Sequence, residues 1–126
     1  MVISVESKIK NILSILRYLN FEPKSPKSLT SATLTTLGEL IITISIKGVV
    51  TDDDLKWIRD YCNDITHFWE TMPVWLRKAL SRLKVSATFS ARGLSQRYTE
   101  NKINGIVTAY SELVSSFIRV YKKEAA

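Results

Sequence analysis

The chain is poor in the residues that most often announce a chemistry. It holds a single cysteine, Cys62, so no internal disulfide can form, and with one histidine, His67, no Cys/His metal cluster can be assembled. Its four glycines stand singly at 38, 48, 93 and 105, which leaves no Gly-rich loop to cradle a phosphate. No run of about 18 uncharged apolar residues occurs, and the Met1 end lacks a basic flank followed by an apolar stretch. A membrane span and a signal peptide are therefore not expected, and a cytoplasmic location is. Acid is missing in one place in particular: Thr71 to Thr99 contains six basic residues (Arg77, Lys78, Arg82, Lys84, Arg92, Arg97) and no Asp or Glu.

That gap organises the charge of the whole chain. The total is 18 Lys and Arg against 12 Asp and Glu, a formal net charge of +6 over 126 residues. Outside 71–99 the basic and acidic groups balance, so the entire excess lies in one segment. Apolar residues make up 45% and charged residues 24%, values that suit one globular domain spanning 1–126 with a real core.

Apolar spacing predicts an all-α, single-domain bundle of about five helices. In the first, Val5, Ile9, Ile12, Leu16 and Leu19 recur at steps of three or four. Glu22-Pro-Lys-Ser-Pro-Lys-Ser28 ends it, since proline cannot continue the hydrogen-bond ladder. The second is expected to start at Ser28 or Thr30 as N-cap and to carry Leu37, Leu40, Ile41 and Ile44 on one side. Its stretch 40–46 is rich in β-branched residues and suits a strand as well as a helix. Helix is preferred because no second strand is evident to pair with it, and Gly48 fits the position after a helix end.

Thr51 can cap the third helix, with Asp52, Asp53 and Asp54 at the positive end of its dipole. The same triplet lacks the further carboxylates or the loop glycine of a Mg²⁺ or Ca²⁺ site, so capping is the better account. Leu55, Ile58, Cys62, Ile65, Trp69 and Met72 form one seam, and Trp57, Tyr61 and Phe68 a second stripe, which predicts a helix buried on two sides. Pro73 restarts the chain at a first turn. In the fourth helix Leu76, Ala79, Leu80, Leu83 and Ala87 face inward, and Gly93 is its expected stop. The fifth carries Ile103, Ile106, Val107, Tyr110, Leu113, Val114, Phe117 and Tyr121, with Thr99 as candidate cap.

No residue set supports a reaction, so an enzyme is not expected and neither is a cofactor. His67 between apolar stripes reads as a half-buried structural histidine rather than a partner for Cys62 or a serine. Asp60 and Asp64, with Glu70 further on, read as a solvated face rather than an acid/base pair. Trp57, Trp75, Phe89 and Tyr98 could stack on bases if exposed, but aromatics at helical spacing are more often core.

The basic segment is the feature that points outward. On a helical wheel Arg77, Ser81, Lys84 and Thr88 share a stripe, with Lys78, Arg82 and Arg92 further round the same polar side. Cations neutralise phosphates and release counterions, and hydroxyls add hydrogen bonds without reading sequence. The competing account is a solvated surface whose cations meet Asp60, Asp64 and Glu70 across the bundle, in pairs worth about 0 to 1 kcal/mol each.

Three segments resemble, in order, the small helical subunit of type III (Csm-type) CRISPR effector complexes. "TDDDLKWIRDYCNDI" (51–65) is similar to that family's helix opening with threonine and carrying an I-R-x-[FY] core, here Ile58, Arg59 and Tyr61. "LKVSATFSARG" (83–93) resembles its L-K stretch running through an aromatic to a small residue and an arginine, here Leu83, Lys84, Phe89, Ala91 and Arg92. "INGIVTAYSEL" (103–113) looks like its closing helix with a V-x-A-Y core, here Val107, Ala109 and Tyr110. The resemblance begins at residue 51; it departs from the pattern in lacking a proline after Lys84, in an arginine about one position early, and in a longer tail from Ser115 to Ala126.

The resemblance implies a non-catalytic subunit of an antiviral ribonucleoprotein complex. It would stack in several copies along the complex, support the duplex of guide RNA and target RNA, and contact the backbone and large subunits. Arg59, Lys84 and Arg92 are the matched basic positions. The charge census adds Arg77, Lys78, Arg82 and Arg97, and Lys56 joins them as lying one turn before Arg59. Two other readings remain open at this stage: a helix-turn-helix-like DNA-binding regulator, and a helical protein-interaction module of viral or host origin. Against the regulator, the turn before the fourth helix, Thr71-Met-Pro73, lacks a glycine, and that helix has no Asn or Gln to read bases.

Overall fold

In the computed structural model, which describes residues 5–19, 26–69 and 71–125, the chain is an all-α bundle of five helices with no strand among the described residues. These are α1 (Val5–Leu19), α2 (Pro26–Lys47), α3 (Asp52–Phe68), α4 (Val74–Ser86) and α5 (Gln96–Ala125). Short connections make successive helices antiparallel neighbours. The 30-residue α5 runs along α1, α2 and α4, while α3 packs between α2 and α4. No helix among the described residues is long and apolar enough to cross a membrane.

The apolar stripes meet in one core, with Ile9, Leu16, Leu37, Ile41, Leu55, Ile58, Leu83, Leu113 and Phe117 almost wholly buried. Its tightest point is Gly38 in α2. The Tyr110 hydroxyl donates to the Leu34 carbonyl at 2.6 Å, which brings the phenol directly over the glycine. A β-carbon on residue 38 would overlap that phenol and lie 2.6 Å from Leu13 Cδ2, so a residue that weakens a helix in isolation is required here by close approach. Burial, reinforced by the nearby Glu39 charge, pushes the Tyr110 hydroxyl well above the usual tyrosine range.

The stretch 40–46 is helical throughout, as preferred from sequence. Its hydroxyls bond backward, Thr43 Oγ1 to the Glu39 carbonyl at 2.9 Å and Ser45 Oγ to the Ile41 carbonyl at 2.8 Å, while Ile41 and Ile44 are buried. Gly48 ends the helix with φ +66° and its N–H on the Ile44 carbonyl, the left-handed stop that glycine supplies. The start differs from expectation: α2 begins at Pro26, so Pro26-Lys-Ser28 belongs to the helix rather than to the loop, and proline serves as a first helical residue. Glu22–Ser25 lie outside the described residues, as do Glu70 and the side chains of Val5, Leu19, Phe68 and Tyr121.

Three more expectations are corrected. α4 stops at Ser86, with Ala87 as C-cap, and Gly93 (φ +73°) shapes a turn in the loop beyond instead of ending the helix. Ser86 Oγ bonds the Leu83 carbonyl at 2.6 Å and Thr88 Oγ1 the Lys84 carbonyl at 2.9 Å, local bonds that compete with further helix. α5 starts before Thr99: the Ser95 hydroxyl accepts from the Tyr98 N–H at 3.2 Å, and Thr99 bonds back to the Ser95 carbonyl. α3 is buried along its first seam, but Trp57 on the second stripe is 55% exposed and Tyr61 half-buried beside it, their rings 5.9 Å apart.

Candidate nucleic-acid interface

The outer side of α4 follows from its own sequence. Leu76, Ala79, Leu80 and Leu83 are buried, so Arg77, Lys78, Ser81, Arg82 and Lys84 face solvent, and all are exposed. Val74 and Val85 open onto the same side at 66% and 67% exposure, an apolar element within the basic face that the charge census could not show. The inner edge is fixed by Trp75, over whose ring the Arg119 guanidinium of α5 lies at 3.9 Å.

The eight candidate cations separate into different situations. Arg59 is half-buried and committed: its Nη1 donates to the Ala87 carbonyl at 2.7 Å, closing the C-terminal end of α4 where carbonyls lack helical partners. Lys56 pairs with Asp60 one turn along α3 at 3.4 Å. Arg82 reaches Glu112 of α5 at 3.9 Å, and Arg92 reaches Asp52 at 3.9 Å; both cations are largely exposed, so these pairs are well screened and weak. Lys78, Lys84 and Arg97 make no ion pair among the described residues.

The wheel placed Arg92 on the polar side of α4, but residue 92 lies in the 87–95 loop, so its position is set by docking and not by helical phase. The dock is Asp52, whose Oδ1 accepts from the Ala91 N–H at 2.8 Å while Oδ2 faces Arg92. The acidic triplet therefore divides its labour. Asp54 forms a capping box with Thr51, its Oδ2 accepting from the Thr51 N–H at 3.0 Å while the Thr51 hydroxyl accepts from the Asp54 N–H at 3.1 Å. Asp52 holds the loop, and Asp53 is exposed.

Between α3 and α4 runs a shallow furrow. One part, about 260 Å³, is lined by Asn63 and Thr66 of α3 and by Arg77, Ser81 and Lys84 of α4. A second part, about 560 Å³, is lined by Asp52, Arg59, Thr88, Phe89 and Ser90. Asn63 lies one turn from Arg59, and Thr88 one turn from Lys84, so the two parts follow one another along the helices. Asn63 and Thr66 were not singled out from sequence, although with Arg59 they form a polar i, i+4, i+7 stripe that could have been read.

Beneath the furrow Cys62 is buried. Burial pushes its thiol up to about 12, with the Lys84 charge only partly opposing, so it stays protonated near neutrality and is a poor nucleophile. His67 is exposed in the last turn of α3, not half-buried as expected, at the end of the dipole that favours positive charge. Among the described residues no three His, Cys, Asp or Glu side chains converge as metal ligands.

Beyond the furrow, Lys102 Nζ lies 5.2 Å from the centre of the Phe89 ring and 5.3 Å from that of Tyr98. Phe89 is half-buried, and Tyr98 is 51% exposed. The site is thus a basic, hydroxyl-lined surface with an aromatic end. No known family model, curated protein or solved structure compared with the chain matches it.

Proposed function

We propose that the protein is a non-catalytic RNA-binding subunit, holding the RNA backbone through the outer side of α4. One observation carries the reading: Arg77, Lys78, Arg82 and Lys84 project from a helix whose opposite side is locked in the core, and Arg77 and Lys84 border a furrow edged with hydroxyl and amide groups. Cations fixed on a rigid scaffold suit phosphate contacts, which position a strand without reading bases. The three segments that resemble the Csm-type small subunit extend the proposal. The chain would act in the cytoplasm within a multi-protein RNA-guided effector complex, in several copies, against guide RNA and target RNA and the backbone and large subunits. Base pairing would then supply sequence specificity.

The test is RNA binding as a function of salt, for the wild type and for the variant R77E/K84E/R92E. Losing three phosphate contacts should lower the magnitude of the salt slope by about 2 and weaken binding at least tenfold at 0.1 M salt. Unchanged affinity and slope would sink the phosphate-contact reading. Recovery of the native protein with RNA and several larger proteins is expected for the complex, whereas a lone protein partner after nuclease treatment would overturn it.

A further inference from the structure

The backbone reading leaves two things unexplained: why Arg77 and Lys84 border a furrow, and why an aromatic cluster stands at its end. We infer that the α3/α4 furrow takes single-stranded RNA, and that Tyr98 stacks on an unpaired base at its exit. This rests on the proposed RNA binding and gives it a strand state, unpaired rather than the guide and target duplex that the resemblance implies.

The helical rise from Arg77 to Ser86, the end of α4, is about 14 Å, and Thr88 continues the furrow beyond it, room for a few nucleotides of a single strand. Along that path Arg77 and Lys84 offer charge, and Ser81, Asn63 and Thr88 offer hydrogen bonds. The carboxylate that lines the path, Asp52, accepts from the Ala91 N–H at 2.8 Å and faces Arg92 at 3.9 Å, so its charge is partly offset where the strand would pass. Such a track of cations suits a single strand, whose bases stay free to stack on aromatic faces.

The aromatic end has the required form. Phe89 is at once a wall of the furrow and a face for Lys102, and Lys102 joins it to Tyr98. Only Tyr98 of this group is largely exposed, so it is the ring with area left to offer. Lys102 beside the ring supplies a cation next to the phosphate of the stacked nucleotide. A paired base inside a duplex hides its faces in its own stack, so an exposed ring here gains from unpaired nucleotides alone.

The experiment measures binding of a 12-nucleotide oligoadenylate, and of a blunt 12-base-pair RNA duplex, to the full chain. The proteins are the wild type, Tyr98→Ala, Tyr98→Phe and R77E/K84E/R92E, with melting curves confirming that each is folded. Tyr98→Ala should weaken oligoadenylate about tenfold, the loss expected when a base is deprived of an aromatic neighbour, without changing the salt slope. Tyr98→Phe should bind as the wild type, and duplex binding should be indifferent to Tyr98. If Tyr98→Ala binds oligoadenylate like the wild type while the charge-reversed protein does not, base stacking is overturned and backbone binding stands. Tighter binding to the duplex than to the single strand would overturn the strand assignment. If the charge-reversed protein binds both RNAs like the wild type, the RNA reading itself fails.

Discussion

The start of α3 and the outer side of α4 are each dense in charge of one sign, yet the two are used in opposite ways. At α3 the carboxylates serve the fold: Asp54 exchanges bonds with Thr51, Asp52 holds the Ala91 N–H, and Asp60 meets Lys56. On α4, Lys78 and Lys84 form no ion pair among the described residues, and Arg82 reaches Glu112 only at 3.9 Å. Position along the helix explains the difference. A helix N-terminus presents unpaired N–H groups and a positive field, so an acid there has work inside the molecule. Lys78 and Arg82, mid-helix, find the backbone groups around them satisfied, so beyond the weak Glu112 pair only solvent or a partner can engage them, whereas Lys84 stands in the last turn, where the helix dipole favours a cation.

Arg59 is where this contrast is broken, because it is a matched basic position that nonetheless acts inward. Replacing it by alanine leaves the Ala87 carbonyl without its charged donor and should cost about 2 kcal/mol, read as a drop in the urea midpoint at constant m value. Unchanged stability would return Arg59 to the outward group. A smaller effect is expected from Asp52→Ala, about 1 kcal/mol, since its carboxylate is half exposed. Its clearer signature is local: the Ala91 amide should exchange with solvent much faster while amides in the middle of α3 stay protected. Uniform loss of protection would mean instead that Asp52 supports the whole bundle.

What could be read in advance follows the range of the forces involved. The five helices, the all-α class and the buried seams of α3, α4 and α5 were legible because helical periodicity is local and repeats over many turns. Thr51 and Gly48 were legible for the same reason, since a cap is decided within four residues. The end of α4 was not. Ala87 to Ser95 leaves the helix through Ser86 and Thr88 bonding backward, and is held by Arg59 and Asp52 from 28 and 39 residues away. Nothing in the local pattern announces those two clasps, and Gly93 drew attention as a stop although it shapes a later turn. The cations of α4 were visible as charge, whereas the furrow they border needs α3 beside them. The exposure of Trp57 and Tyr98 was hidden too, because an aromatic at helical spacing looks the same whether the next helix covers it or not.

The smallest predicted effect sharpens the comparison most. Lys78→Ala removes an exposed mid-helix cation and puts the best helix former in its place, so loss of its weak long-range interactions and gain of propensity nearly cancel. Its urea midpoint should correspond to a change within about 0.5 kcal/mol of zero. The same variant should lower the magnitude of the RNA salt slope by about one if Lys78 meets a phosphate. A substitution silent in folding and visible in binding separates a charge kept for a partner from a charge kept for the fold. If Lys78→Ala destabilises the bundle as much as Asp52→Ala does, that separation is lost, and the basic side of α4 must be counted, like the start of α3, among the contacts that hold the molecule together.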